Sequence, residues 1–227
     1  MRLTYFGHSA FLLEIAGQRL AFDPWLRGNP HGPFDPATVP CDFVLCSHAH
    51  DDHLGDALEL SRRHGATIVA PYELAEHLTA LGAQTIDLMP GGGLDLPWGR
   101  IDMTPAIHSS ALELGDGKTQ SLGVASGFLI HAADQSVYHA GDTALFSDMR
   151  LIGRFGLDLA LVPIGDFYTM GPRDAVEALN FLRPKLAVPM HYNSSARTRV
   201  DPHAFAAAAA QAGHTVKVMA AREVLEA

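Results

Sequence analysis

The sequence predicts an α/β sandwich, in which two β-sheets pack together and helices cover their outer sides. Short β-rich runs separated by glycines open the chain and predict antiparallel strands. Further along, strand-like runs alternate with helical segments, first after residue 43 and again in the closing third. Strands mixed with helices at both ends of a chain favour such a sandwich. A length of 227 residues is enough for one large core, so we expect a single domain over 1–227.

Turn signals bound the strands expected in the first half of the chain. Gly7, Gly17 and the Asp23-Pro24 pair interrupt the opening β-rich runs, which predicts strands over 2–5, 10–15 and 19–22. The apolar run 43–46 predicts a fourth strand. The segments after it predict helix 55–64, strand 67–70, helix 72–81 and strand 84–88.

The second half of the chain resumes the alternation after the glycine-rich turn at 90–93. The expected strands are 100–107, 121–131, 135–139, 157–162, 186–189 and 215–219, and the expected helices are 145–153, 172–182 and 202–212. The polar segments 28–34 and 112–120 are expected to be long loops, which makes them candidates for shaping a pocket.

The composition argues against several classes of protein. A hydrophobic content of 48%, a charged content of 18% and two cysteines describe a compact protein without a disulfide framework. The net charge of −9, from 25 acidic and 16 basic residues, disfavours a nucleic-acid partner, which needs clustered Lys and Arg. No apolar stretch approaches the roughly 18 residues of a membrane span, and the first residues lack the pattern of a signal peptide. We therefore expect a cytoplasmic protein with no membrane partner.

The densest chemistry lies in segment 47–53, Ser-His-Ala-His-Asp-Asp-His, which directly follows an apolar run. No regular element aims all of its ligand candidates at one point, because a strand turns His53 away and a helix turns His50 away. We therefore predict a ligand turn at a strand end, followed by a helix that begins at Leu54 or Gly55. Histidine and carboxylate ligands without a cysteine suit Zn²⁺, Mn²⁺ or Fe²⁺.

Three later apolar runs also end at a potential ligand, namely His108, Asp142 and His191. Open α/β architectures bind ligands at the carboxyl ends of strands, so these positions and the first cluster are expected to converge on one edge. Taken alone, each has an ordinary interpretation: the two histidines as packed core residues, and Asp142 as a turn or helix N-cap. Their combination with the first cluster favours a metal site.

The order of these motifs resembles the metallo-β-lactamase superfamily across essentially the whole chain. The shared signature is His-x-His-x-Asp-His, then a distant His, an Asp in Gly-Asp-Thr and a last His. The segments 7–9, 22–25 and 165–172 are similar to those of a bacterial group named only as metal-dependent hydrolases of unknown substrate. Ascorbate-6-phosphate lactonase resembles the chain more distantly. The resemblance implies a four-layer αββα sandwich, with two mixed sheets flanked by helices and a dinuclear site in the cleft.

The resemblance also implies the ligand set, and no expected ligand is missing. The first metal ion would be held by His48, His50 and His108, the second by Asp52, His53 and His191, and Asp142 would bridge them. We expect two divalent ions per chain, with zinc as the expected metal and manganese or iron as alternatives.

These expectations lead to a dinuclear metal-dependent hydrolase that cleaves an ester-like bond, a lactone or a phosphodiester, in a small cytoplasmic substrate. Two divalent ions roughly 3.5–4 Å apart share a water and lower its pKa from about 15.7 towards 7, which gives a metal-bound hydroxide as nucleophile. Asp52 is expected to orient that nucleophile through its free oxygen, so it is a catalytic residue as well as a ligand. Drug hydrolysis is not expected, because lactamases of this superfamily are secreted.

Four further residues are candidates for binding or catalysis. His8, at the end of the first strand, is expected to bind substrate or donate a proton, with a packed histidine as the alternative. Asp23 suits a carboxylate that fixes the tautomer of a ligand histidine, with a strand-ending turn as the alternative. Tyr168 is expected to line the pocket, and Asn193 is expected to donate to an oxyanion.

Two other activities remain open at the level of sequence. The superfamily includes persulfide dioxygenases with one iron, so a mononuclear-iron oxidoreductase is the first alternative. A nuclease is the second, although the basic arm that it would need is not visible. The superfamily often forms oligomers, and self-association of this chain is left open.

Overall fold

Two β-sheets pack together in the computed structural model, which describes residues 1–226. The strands are β1 (Arg2–Gly7), β2 (Ala10–Ile15), β3 (Gln18–Phe22), β4 (Phe43–Leu45), β5 (Thr67–Pro71), β6 (Thr85–Leu88), β7 (Gly93–Leu96), β8 (Gly99–Pro105), β9 (Ala111–Gly115), β10 (Lys118–Ser121), β11 (Ser126–Ala132), β12 (Gln135–His139), β13 (Leu159–Pro163), β14 (Leu186–Met190) and β15 (Val224–Glu226). The helices are α1 (Asp51–Leu54), α2 (Ala57–His64), α3 (Tyr72–Ala80), α4 (Met149–Gly153), α5 (Pro172–Leu182) and α6 (Pro202–Gln211), with a short 3₁₀ helix at Pro36–Thr38.

Both sheets mix antiparallel and parallel pairs. The first has seven strands in the order β15-β1-β2-β3-β4-β5-β6, antiparallel up to β3 and parallel from β3 to β6. The second has six strands in the order β14-β13-β12-β11-β8-β7, with β12, β13 and β14 parallel. Parallel neighbours end on the same side, so each sheet presents a row of strand ends along one edge.

Alternating side chains divide the core into two layers. Leu20 and Phe22 of β3 lie in the cluster shared with the second sheet, whereas Ala21 between them packs with Leu60 of α2 and Leu74 of α3. Successive strand residues point to opposite faces, so β3 is buried on both sides. Burying a side chain such as Phe22 contributes roughly 1.5–3 kcal/mol.

Helix α5 covers the outer side of the second sheet. Its Ala178 and Leu182 are fully buried in the same cluster as Leu161 of β13. The resulting order of helices, sheet, sheet and helices is the predicted sandwich, so the predicted fold class is confirmed. Strands 10–15 and 135–139 and helix 172–182 have the predicted bounds.

The ligand segment and the segment 112–120 differ from prediction. The helix after the ligand turn begins at Asp51 rather than at Leu54 or Gly55, so Asp52 and His53 lie on its first turn. Segment 112–120, expected to be a loop, forms most of the hairpin of β9 and β10, a separate two-stranded sheet. This hairpin was missed because its outer positions are polar and exposed.

The predicted strand 215–219 is also wrong. Only Val216 forms a bridge, to Ala187, whose N–H and carbonyl bond to Thr215 and Lys217. The next backbone N–H of β14 that would face segment 215–219 belongs to Pro189, which has no N–H. The hydrogen bonding between β14 and this segment therefore stops there. Strands β7 and β15 were not predicted, strand 121–131 begins only at 126, and helix 145–153 is limited to its second half.

Candidate metal centre

The seven predicted ligands lie together at strand ends from both sheets. Their positions are His48 and His50 after β4, Asp52 and His53 in α1, His108 after β8, Asp142 after β12 and His191 after β14. Their nitrogen and oxygen atoms form three overlapping groups, in each of which all atoms lie within 4.8 Å of one another. The seven side chains thus converge on one edge of the sandwich.

Two glycines let the backbone approach this edge closely. Gly141 has φ +61°, and a Cβ there would lie 2.2 Å from the carbonyl oxygen of Ser126. A Cβ on Gly165 would lie 2.1 Å from the carbonyl oxygen of His191. A larger residue at either position would displace a ligand, Asp142 in the first case and His191 in the second.

The first group consists of His48, His50 and His108. Nε2 of His48 lies 2.9 Å from Nδ1 of His50. Imidazole nitrogens bind zinc at about 2.0–2.1 Å, so two nitrogens on one tetrahedral ion lie roughly 3.4 Å apart. The nitrogens of this group are therefore spaced closely enough to share one ion.

The second group joins Asp52, His53 and His191, and Asp142 lies between the two groups. Oδ2 of Asp142 is 2.9 Å from Nε2 of His191, 3.3 Å from Nε2 of His53 and 3.6 Å from Nε2 of His108. Burial alone would raise the pKa of Asp142, but the imidazoles around it, His191 first, hold the pKa well below its usual value. The carboxylate is therefore ionised and in contact with histidines of both groups.

Asp23 fixes the tautomers of two of these histidines. Its Oδ2 accepts the Nδ1–H of His53 at 2.7 Å and the hydroxyl of Ser47 at 2.7 Å. Because the Ser47 proton goes to Asp23, the Ser47 oxygen accepts the Nδ1–H of His48 at 2.9 Å. With Nδ1 held in this way, Nε2 is the atom that each ring turns towards the ligand groups. Asp23 itself is fully buried, as expected for a carboxylate that supports ligands.

The donor set fits a divalent cation. Burial lowers the pKa of His48, His50 and His108, which are therefore neutral imidazoles able to coordinate. Burial would also lower the pKa of His53, but the carboxylates around it, Asp142 first, raise it instead. Nε2 of His53 and Oδ1 of Asp142 have no hydrogen-bond partner within residues 1–226. Buried polar atoms require a partner, and a bound cation would serve both.

His8 lies behind the second group. Its Nε2–H donates to Oδ2 of Asp52 at 3.1 Å, and its Nδ1 accepts the hydroxyl of Ser194 at 2.6 Å. Burial and then the neighbouring His191 lower the pKa of His8 to about 4, so the ring is neutral. The side chain is 2% exposed, yet it is among the residues that line the cleft, next to Asp52 and Ser194.

An open cleft with two parts borders the ligand groups. Pocket A, of about 520 Å³, is bounded by Asp51, Ser109 and Glu113, and pocket B, of about 420 Å³, by Ser194, Ser195 and Arg197. Trp25, Asp52, Tyr168 and His191 line both pockets. The ligand groups thus lie where the two pockets meet.

Asn193 lies at the start of the loop 193–200, whose residues 194–198 line pocket B. It lines neither pocket, and its Oδ1 accepts the backbone N–H of Val200 at 3.0 Å. The oxyanion role of Asn193 stays a prediction; its side-chain oxygen closes the loop 193–200.

Sequence reasoning missed several residues that line the cleft or support its ligands. Trp25 and Ser47 adjoin motifs that were recognised, so their position beside Asp23 and His48 was an available signal. Ser194 and Arg197 carry no such signal, because only the folded chain brings Ser194 to His8, 186 residues away in sequence.

Comparison with known proteins gives the family. A family model described as a beta-lactamase superfamily domain matches residues 18–192. The chain belongs to the metallo-β-lactamase superfamily. A protein from Opitutus terrae, named as a metal-dependent hydrolase, is 73% identical over 226 residues, which cover 100% of both chains.

Solved structures show a similar fold. A metallo hydrolase from the archaeon Ignicoccus hospitalis is 41% identical, with a TM-score of 0.90 over 99% of this chain and 97% of that one. An isothiocyanate hydrolase from Delia radicum gut bacteria has a TM-score of 0.79 over 100% and 99% of the two chains, but at 20% identity it shares the fold alone. The chain is thus a metal-dependent hydrolase of the metallo-β-lactamase superfamily.

Proposed function

We propose that the protein binds two divalent ions, zinc in the first place, and hydrolyses an ester-like bond of a small substrate, either a lactone or a phosphodiester. One observation carries the proposal: Oδ2 of Asp142 lies within 3.6 Å of imidazole nitrogens that belong to both ligand groups. A carboxylate in that position suits two cations that share it. A single ion would occupy only one of the two ligand groups, and the buried polar atoms of the other group would have no partner.

The roles of the residues follow from their contacts. A pair of divalent ions would supply an activated water at neutral pH and a Lewis acid for the carbonyl or phosphoryl oxygen of the substrate. The side chain of Asp52 is 39% exposed and lines both pockets, so it can reach a water in the cleft while its neighbour His53 stays buried. His8 then fixes the direction of the Asp52 carboxylate, because its N–H donates to Oδ2.

The first test is the metal content of protein purified without added metal or chelator. We expect about two equivalents of zinc or manganese per chain by mass spectrometry, as in two-metal hydrolases. Removing the ions with a chelator should abolish hydrolysis in a screen of lactones and phosphodiesters. It should also lower the melting temperature, because a ligand that binds only the folded state stabilises it. About one equivalent of iron would contradict the proposal and favour the oxidoreductase.

The His8→Ala variant should keep both metal ions but lower turnover by roughly a hundredfold, the effect expected when a positioned catalytic group is lost. The physical reason is that Asp52 loses its only side-chain hydrogen-bond donor within residues 1–226. Mass spectrometry and steady-state kinetics on one preparation separate the two effects. His214→Ala, a change to a partly exposed histidine bonded to Asn180, is the matched control.

Two results of the His8 experiment would contradict this role. Unchanged turnover on a confirmed substrate would leave His8 as a packed histidine. Loss of one equivalent of metal would make His8 a ligand instead, which its place in the group with Asp52, His53 and His191 allows geometrically.

A further inference from the structure

The two pockets of the cleft differ in charge. Asp51 and Glu113 line pocket A in addition to the carboxylates of the ligand groups. Pocket B contains Arg197, which is the only Lys or Arg among the residues that line either pocket. An anionic group that does not bind the metal ions is therefore favoured in pocket B, beside Arg197, over the part of pocket A that Asp51 and Glu113 line.

The side chain of Arg197 is held in place by groups that carry no negative charge. Its Nη1 donates to the hydroxyl of Tyr168 at 2.8 Å, and its guanidinium carbon lies 5.1 Å from the centroid of the Phe167 ring. Within residues 1–226, no carboxylate lies within the 4.0 Å of an ion pair with Arg197. The remaining N–H groups of the guanidinium can therefore bind a ligand.

The loop that carries Arg197 is closed by its own hydrogen bonds. The hydroxyl of Thr198, which is 2% exposed as a residue, accepts the backbone N–H of Ser195 at 3.0 Å. The hydroxyl of Ser195 in turn accepts the backbone N–H of Arg197 at 3.2 Å. A loop fixed in this way loses little conformational freedom when a ligand binds, so the contact costs little entropy.

We propose that the substrate carries a second, non-scissile anionic group, a carboxylate or a phosphate, which binds Arg197 in pocket B while the scissile bond lies at the ligand groups. The inference rests on the proposed function and deepens it by naming the substrate class. The planar guanidinium matches both anions, because two parallel N–H groups can bond to two oxygens. Tyr168, which lines both pockets and bonds to Arg197, connects the anion site with the ligand groups.

A binding experiment tests this without requiring turnover. The chain has two tryptophans, Trp25 and Trp98, and the Trp98→Phe variant leaves Trp25 as a fluorescent reporter that lines both pockets. Zinc-loaded protein is titrated with dicarboxylates from malonate to adipate, and with the monocarboxylates of equal chain length. Carboxylates that bear a terminal phosphonate form the second arm, which separates a phosphate site from a carboxylate site.

We expect the best doubly anionic ligand to bind about tenfold or more tightly than its monocarboxylate, the size of one charge-assisted contact. Arg197→Gln should remove this preference, and Arg197→Lys should keep part of it. Arg199→Gln is the matched control, because Arg199 is exposed, lies two residues away and lines neither pocket.

Three outcomes would overturn the inference: equal affinity for singly and doubly anionic ligands, the same preference in Arg197→Gln, or no measurable binding of any probe. The proposed function fails separately. A protein that shows the Arg197-dependent preference but hydrolyses no ester-like substrate keeps the anion site and loses the reaction. A protein that hydrolyses an ester-like substrate but shows no anion preference keeps the proposed reaction and loses the anion site.

Discussion

The Asp142→Ala variant is expected to lose hydrolysis and metal together. Asp142 Oδ2 faces imidazole nitrogens of His191, His53 and His108 at 2.9, 3.3 and 3.6 Å. Without this carboxylate, no anion joins the two ligand groups, and two cations would repel each other across them. The metal content should therefore fall from about two equivalents to about one or fewer, as expected when a two-metal site loses its bridge.

The experiment needs variants that separate the charge of Asp142 from its shape. Asp142→Asn keeps the size of the side chain, so a loss of metal in both variants must come from the missing charge. Asp158→Asn is the control, because Asp158 is a partly buried carboxylate directly before β13, where it accepts hydrogen bonds from Ser136 and Lys185. If Asp142→Ala folds normally and retains two equivalents of metal, the bridging role is wrong.

The sequence was sufficient to predict where these groups lie. His108, Asp142 and His191 each follow an apolar run, and strands that run in the same direction within one sheet bring their ends to one edge. The first ligand cluster was easier to predict, because its residues are neighbours in sequence. The sandwich was predictable because strand-like runs alternate with helical segments in two parts of the chain.

The other side of the cleft was not predictable in the same way. Ser194 contacts His8 across 186 residues of sequence, and nothing in either segment specifies the other. Glu113 lies on a hairpin whose strands are mostly exposed, so no apolar alternation marks it. The false strand 215–219 shows the converse error, in which local propensity was correct but Pro189 removed the donor that pairing required.

The Asp23→Asn variant is expected to weaken metal binding by about 10–100-fold, the range for a lost partner of a ligand histidine. In the unmodified protein, Asp23 Oδ2 accepts two hydrogen bonds, from His53 Nδ1 and from Ser47 Oγ, and Oδ1 accepts one from the Ser47 N–H. An asparagine has one acceptor oxygen, so one of its orientations places an N–H against His53 and the other places an N–H against the backbone of Ser47. In the first orientation the His53 proton must move to Nε2, the atom that faces the metal site.

A competition titration with a chromophoric zinc chelator measures this loss, and thermal unfolding of metal-free protein measures the structural effect separately. Asp23→Ala leaves buried donors without an acceptor, at about 1–3 kcal/mol each, so it should destabilise the metal-free protein as well. Asp42→Asn, which alters a surface carboxylate bonded to Arg19, is the control for the substitution itself. Full zinc affinity in Asp23→Asn would mean that His53 keeps its tautomer without Asp23. The orientation of this ligand would then have to come from the packing of α1 alone.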